Sequence, residues 1–135
     1  MRSLFLDTGY VIALETRDDQ NHEVASKHWQ TLSQPLPQLI TTSYVFDEVV
    51  TFFNSREQHV KAVEVGNRLL KSPTILFVHV DETLFFEAWN LLVQRDDKTY
   101  SLTDCISFLV MKKHGNQTVL TFDRHFVQEG FSKLP

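Results

Sequence analysis

The chain of 135 residues is 42% hydrophobic and 22% charged, close to globular averages, and no internal repeat or low-complexity segment interrupts it. It is long enough to bury a core of its own, so residues 1–135 read as a single domain. The formal charge of −4 argues against binding nucleic acid through bulk charge, although a metal site built of carboxylates would by itself account for such an excess.

Cys105 has no second cysteine to pair with and lies in an apolar run, where a buried thiol is expected. No stretch approaches the roughly 20 apolar residues of a membrane span, and the apolar run before Asp7 is short. A cytoplasmic location without membrane contact is expected.

In chain order, residues 3–6 form a first strand, and because Leu4-Phe5-Leu6 is apolar without alternation the sheet is covered on both faces. The strand breaks off at Asp7-Thr8-Gly9. Tyr10 to Leu14 reads as a short helical turn and Arg17 to Asn21 as a polar loop. Asn21 can cap a helix whose inward residues are Val24, Ala25, His28, Trp29 and Leu32, with His28 a hydrogen-bonded core or edge residue. Gln34-Pro35-Leu36-Pro37 ends that helix, since proline cannot continue it.

Leu39 to Thr42 is a second strand. Ser43 then N-caps a helix to about Ser55 that buries Val45, Phe46, Val49, Val50 and Phe53. The next helix, Gln58 to Lys71, presents Val60, Ala62, Val63, Val65, Leu69 and Leu70. Gly66 in its interior is unfavourable by about 1 kcal/mol and marks close packing. After Ser72-Pro73, Ile75 to Val80 is a third strand, and Asp81 caps a helix carrying Leu84, Phe85, Ala88, Trp89, Leu91 and Leu92.

A charged loop, Arg95 to Thr99, leads to a helix from Leu102 or Thr103 to His114, stopped by Gly115-Asn116. Thr118 to Phe122 is a fourth strand ended by Asp123, and Phe131 to Leu134 adds a short edge strand. Strands alternating with helices over short connections predict a three-layer α/β/α sandwich with a mostly parallel central sheet.

In such a sheet, ligands bind at the carboxyl ends of the strands. Asp7 and Asp123 both fall there. Each alone reads more readily as a turn residue, and together they repel unless a cation keeps both ionised. Asp104 falls between Phe108 and Met111 on a helical wheel, where an unpaired carboxylate is costly. Ser101-Leu102-Thr103-Asp104 also fits a capping box, so cap and ligand both stand. After the second strand, Glu48 lies beside Phe52 at the edge of the buried arc and Asp47 points further out; which of them faces inward stays open, and both suit a helix N-terminus.

An all-oxygen donor set of this kind, with no Cys pair and no His-x-x-x-His spacing, selects Mg²⁺ or Mn²⁺ over zinc. Such ions act on phosphate esters, which points to phosphodiester hydrolysis.

Four segments carry a resemblance in order and spacing: Leu6-Asp7-Thr8-Gly9, Thr42 to Val49, Tyr100 to Asp104, and Leu120 to Phe126. Together they resemble a PIN-domain ribonuclease, in particular a VapC-type toxin, from Leu4 to about Phe131. The resemblance implies a PIN-like fold, Mg²⁺- or Mn²⁺-dependent endoribonuclease activity on an RNA substrate, a homodimer, and a cognate antitoxin. It makes Asp7, Glu48, Asp104 and Asp123 the catalytic metal ligands, with Thr8, Ser101 and Thr121 orienting them from behind. Arg124 and His125 can meet the substrate backbone, although Arg124 equally suits pairing with a nearby acid.

The alternative is a non-catalytic PIN-like module that holds RNA or a protein, which the acidic balance and the lack of a basic stripe favour. A phosphatase or receiver-type domain with Asp7 as phosphate acceptor fits poorly, because the position two residues on is Gly9 rather than a second Asp.

Overall fold

The computed structural model describes residues 3–32 and 35–135. Strand β1 (Ser3–Leu6) is followed by helices α1 (Thr8–Glu15) and α2 (His22–Leu32), then by β2 (Gln38–Thr42). Helices α3 (Ser43–Asn54) and α4 (His59–Lys71) lead to β3 (Ile75–Val78), and α5 (Glu82–Gln94) and α6 (Leu102–Lys113) lead to β4 (Thr118–Leu120). A single turn, α7 (His125–Gln128), precedes β5 (Ser132–Leu134).

Among the described residues the strands form one five-stranded sheet in the order β3-β2-β1-β4-β5, and every pair is parallel. The steps from β1 to β2 and from β2 to β3 run in one direction, whereas β3 to β4 and β4 to β5 run in the other. Right-handed crossovers therefore place α1 to α4 on one face and α5 to α7 on the opposite face. The packing agrees: α1 meets α2 and α3, α3 meets α4, and α6 meets α5 and α7. The predicted α/β/α sandwich is the observed architecture.

Strand β1 lies in the middle with Leu4 and Phe5 fully buried, as its unbroken apolar run requires. Helix α6 is covered nearly all round: Cys105, Ile106, Ser107, Phe108 and Met111 lack solvent exposure, while Lys112 and Lys113 end the helix in water. The buried Cys105 thiol has its pKa pushed up to about 11 by that burial. No helix among the described residues is long and apolar enough to cross a membrane.

Several expectations need correction. Thr42, not Ser43, N-caps α3: its hydroxyl accepts from the Val45 amide at 3.2 Å, and the Ser43 hydroxyl instead accepts from the Val80 amide at 2.9 Å. Strands β3 and β4 stop at Val78 and Leu120, so Asp123 lies beyond the strand rather than at its last residue. Val24, Val60, Val63, Leu70 and Trp89 are exposed rather than inward. Their helices bury narrower arcs: α4 packs through Ala62, Val65, Gly66 and Leu69, and α5 through Leu84, Ala88 and Leu91. The four-residue turn α7 was not anticipated. Gln34, in the predicted helix-ending segment, lies outside the described residues.

Two finer expectations hold. His28 is part-buried and its Nδ1 lies 2.8 Å from the Tyr10 hydroxyl. Gly66 sits at a tight seam, where an added Cβ would lie 3.3 Å from Val50 Cγ2 and 3.4 Å from the Phe46 ring.

Candidate active site

The chain leaves β1 for β2 on one side and later reaches β4 on the other, so the strand order reverses between β1 and β4. Such a switch point opens a crevice at the carboxyl ends of the strands. A cleft of about 680 Å³ lies there, lined among others by Asp7, Glu48, Asp104 and Asp123.

Asp7 follows the last residue of β1, and its own amide still donates to the Leu120 carbonyl of β4 at 3.1 Å. The sheet register thus fixes its position. The Thr121 hydroxyl donates to Asp7 Oδ2 at 2.7 Å and accepts the Asp123 amide at 3.0 Å, so one side chain ties both strand-end acids together. Burial pushes the Asp7 carboxyl up to about 7; hydrogen bonds from Thr121 and the Thr8 amide oppose this, and the charges of Asp104 and Asp123 add to it.

Asp104 closes the capping box of α6. Its Oδ2 accepts the Ser101 amide at 3.1 Å while its own amide donates to the Ser101 hydroxyl at 3.0 Å. The same Oδ2 lies 2.8 Å from His125 Nδ1. Asp123 folds into a turn, its Oδ1 accepting the His125 amide at 2.9 Å and lying 3.4 Å from His125 Nδ1. One donor atom from each of Asp104, Asp123 and His125 falls within 4.8 Å of the other two. Asp7 and Glu48 stand outside that trio but line the same cleft.

The choice between Asp47 and Glu48 is resolved by Thr8. Its hydroxyl donates to Glu48 Oε1 at 2.6 Å, which turns Glu48 over the cleft. Asp47 instead accepts from the Thr51 hydroxyl on the outer side of α3 at 3.4 Å and does not line the cleft. Arg124 lines the cleft and has no acid partner among the described residues. His125 lines it too, but with its ring nitrogens turned to protein partners, Asp104 and, at 3.3 Å from Nε2, Thr99.

Thr99 and Gln128 also line the cleft and were missed. Thr99 lies in a charged loop, and Gln128 on a helix too short to leave a periodic signal.

The donor set fits a hard divalent cation. Glu48, Asp104 and Asp123 each use one carboxylate oxygen for the bonds just described and have no bond to the other among the described residues. Those free oxygens, with Asp7 beside them, are the ligands Mg²⁺ or Mn²⁺ prefers. A larger cavity, about 820 Å³, opens near the amino ends of β2 and β3, but its lining acid Glu15 is already paired with Lys61 and Arg68.

A parallel α/β/α sandwich whose switch point gathers acids from separate elements defines the class, and the sequence profile of the PIN domain matches residues 4–131. The chain belongs to the PIN domain family. The 23S rRNA-specific endonuclease VapC20 of Mycobacterium tuberculosis is 36% identical to it over 131 residues, 97% of each chain. The crystal structure of M. tuberculosis VapC20, described as a toxin that cleaves the sarcin–ricin loop, superposes with a TM-score of 0.87 at 33% identity, covering 97% of this chain and 98% of that one.

More distant structures share the fold. A toxin–antitoxin complex from Klebsiella pneumoniae matches with a TM-score of 0.65 at 14% identity. FitAcB from Neisseria gonorrhoeae matches with 0.64 at 18%, and in both cases 98% of this chain and 96% of the other are covered.

Proposed function

We propose that the protein is a divalent-metal-dependent endoribonuclease and the toxin of a toxin–antitoxin pair. The observation that carries this reading is the convergence of Asp7, Glu48, Asp104 and Asp123 on one cleft at the switch point of the sheet. The 23S rRNA-specific endonuclease activity of VapC20, which is similar over almost the whole chain, supports ribosomal RNA, and its 23S species in particular, as the substrate. A cognate antitoxin and a homodimer accompany the proposal through the VapC-type resemblance, and a cytoplasmic location follows from a ribosomal target.

Asp7, Glu48, Asp104 and Asp123 would hold Mg²⁺ or Mn²⁺. When bound, such a cation would supply charge neutralisation for the phosphate and an acidified water for in-line hydrolysis. The chain's own groups do the rest. Thr121 and Thr8 fix the rotamers of Asp7 and Glu48. Arg124, with no acid at ion-pair distance among the described residues, is available to the scissile phosphate or a neighbouring one. Burial raises the Asp7 carboxyl to about 7, so Asp7 holds its proton more tightly than an ordinary aspartate before any cation enters.

Incubation of purified protein with ribosomal RNA and Mg²⁺ or Mn²⁺ tests the reading: cleavage leaving a 5′-phosphate is expected, and Asp7→Asn and Asp104→Asn should both abolish it. Cleavage that survives either substitution belongs to a contaminating nuclease and sinks the assignment. Metal-dependent turnover that the two variants lack excludes the non-catalytic module.

A further inference from the structure

The ring of His125 lies beside two of the acids, Asp104 and Asp123, yet it is committed on both sides. A carboxylate oxygen only accepts hydrogen bonds, so the 2.8 Å contact between His125 Nδ1 and Asp104 Oδ2 requires a hydrogen on Nδ1. The ring therefore presents an N–H to the acids and no lone pair. Its other nitrogen, Nε2, is 3.3 Å from the Thr99 hydroxyl, on the side away from Asp104.

The ring is also held from behind. The edge of Tyr100 packs against it at a centroid distance of 5.3 Å, and the Tyr100 hydroxyl donates to Glu129 at 3.1 Å. Glu129 is gripped by both arms of Arg95, at 3.1 and 2.8 Å. The loop before α6 and the end of α7 thus lock the imidazole in place.

The consequence falls on Asp104. Its Oδ2 receives two hydrogens, from the Ser101 amide and from His125 Nδ1, and no hydrogen bond reaches Oδ1 among the described residues. Nδ1 also lies 3.4 Å from Asp123 Oδ1, the oxygen already held by the His125 amide.

We infer that His125 is a positioning residue for the metal acids: its Nδ1–H holds Asp104 Oδ2, while its backbone N–H holds Asp123 Oδ1, turned away from the cation, leaving Asp104 Oδ1 and Asp123 Oδ2 as the ligand atoms. It is neither a ligand itself nor a contact to RNA. This inference rests on the metal-site reading proposed above.

The test measures Mn²⁺ binding by electron paramagnetic resonance on the full chain, without RNA. His125→Asn puts an amide N–H where Nδ1 stands, whereas His125→Gln carries the same amide one methylene further, where Nε2 stands. Both substitutes are polar and of similar size. The Asn variant is expected to bind Mn²⁺ within about 3-fold of the parent, and the Gln variant to lose about 10–100-fold, the range typical of partners that orient metal ligands.

A nitrogen hyperfine coupling from imidazole in the parent's Mn²⁺ spectrum would make His125 a ligand and overturn the inference. So would equal Mn²⁺ affinity in the parent and the Gln variant, and a raised KM for RNA alongside that equality would return His125 to substrate contact. If the parent binds no Mn²⁺ at all, the nuclease reading falls and this inference falls with it. Parent binding with an unaffected Gln variant removes only the role of His125.

Discussion

Asp7 bears the electrostatic strain of the site, being buried, hydrogen-bonded and faced by two further acids. Burial raises its pKa to about 7 in the fold from an ordinary 3.8, so between those values the native state holds a proton which the unfolded chain has released. Between those two values the native state binds more protons than the unfolded one, so metal-free stability falls as pH rises from about 4 to about 7 and levels off above. Asp7→Asn removes the ion without removing the shape. In EDTA it is expected to match the parent near pH 4 and to exceed it at pH 8 by on the order of 3 kcal/mol, read from denaturant unfolding at each pH. A variant less stable than the parent at pH 8 would contradict the burial argument. Thr121→Val deletes the hydroxyl that serves both Asp7 and Asp123. It should weaken Mn²⁺ binding about 10–100-fold in a calorimetric titration while the far-ultraviolet circular dichroism stays unchanged. At this scale the sequence marked Asp7 as an acid after an apolar run, a pattern that a plain turn residue also gives, and only the later acids singled it out. It left Asp47 and Glu48 undecided, since the Thr8 hydroxyl that selects Glu48 comes from a helix 40 residues away in the chain.

Among the elements, the seam between α3 and α4 depends on a missing side chain. Gly66 lets the Phe46 ring and Val50 approach so closely that a Cβ would stand 3.3 to 3.4 Å from them. Gly66→Leu should drive the helices apart and lower stability by about 1–3 kcal/mol, the usual penalty of overpacking. Urea unfolding measures it; an unchanged midpoint would mean the seam is looser than it looks. The mid-helix glycine was a readable signal because its propensity penalty needs a structural reason. The apolar residues around it were less readable. Val60, Val63 and Leu70 belong by type to a core, yet they are 72%, 47% and 50% exposed, because α4 buries only the arc centred on Val65 and Leu69. Residue type shows that a face is apolar, not which neighbour covers it. In the same way α7 escaped notice: four residues span little more than one turn, too few for periodicity to register.

For the whole molecule, the sheet order dictates where charge accumulates. Reversing direction between β1 and β4 brings Asp7 and Asp123 to the same crevice, and the middle of α3 and the amino end of α6 deliver Glu48 and Asp104 to its rim. A protein of net charge −4 thereby gathers four carboxylates in one cleft where, among the described residues, the only basic side chains are Arg124 and His125. Burial of Asp7, with two further acids facing it, makes its ionised form costly in the metal-free fold, so a cation that relieves this stabilises the native state. Mn²⁺ at 100 times its dissociation constant adds about 2.7 kcal/mol if it binds only the folded chain. For a chain of this length that corresponds to a rise in thermal midpoint on the order of 10 °C. Differential scanning fluorimetry against Mn²⁺, with Ca²⁺ and EDTA as controls, should show the rise at pH 7.5. It should shrink at pH 6, where Asp7 keeps its proton and the cation must displace it. Asp104→Asn should show little or no rise at either pH. A parent whose midpoint ignores Mn²⁺ at pH 7.5 would mean that the acids meet in space for a reason other than sharing a cation.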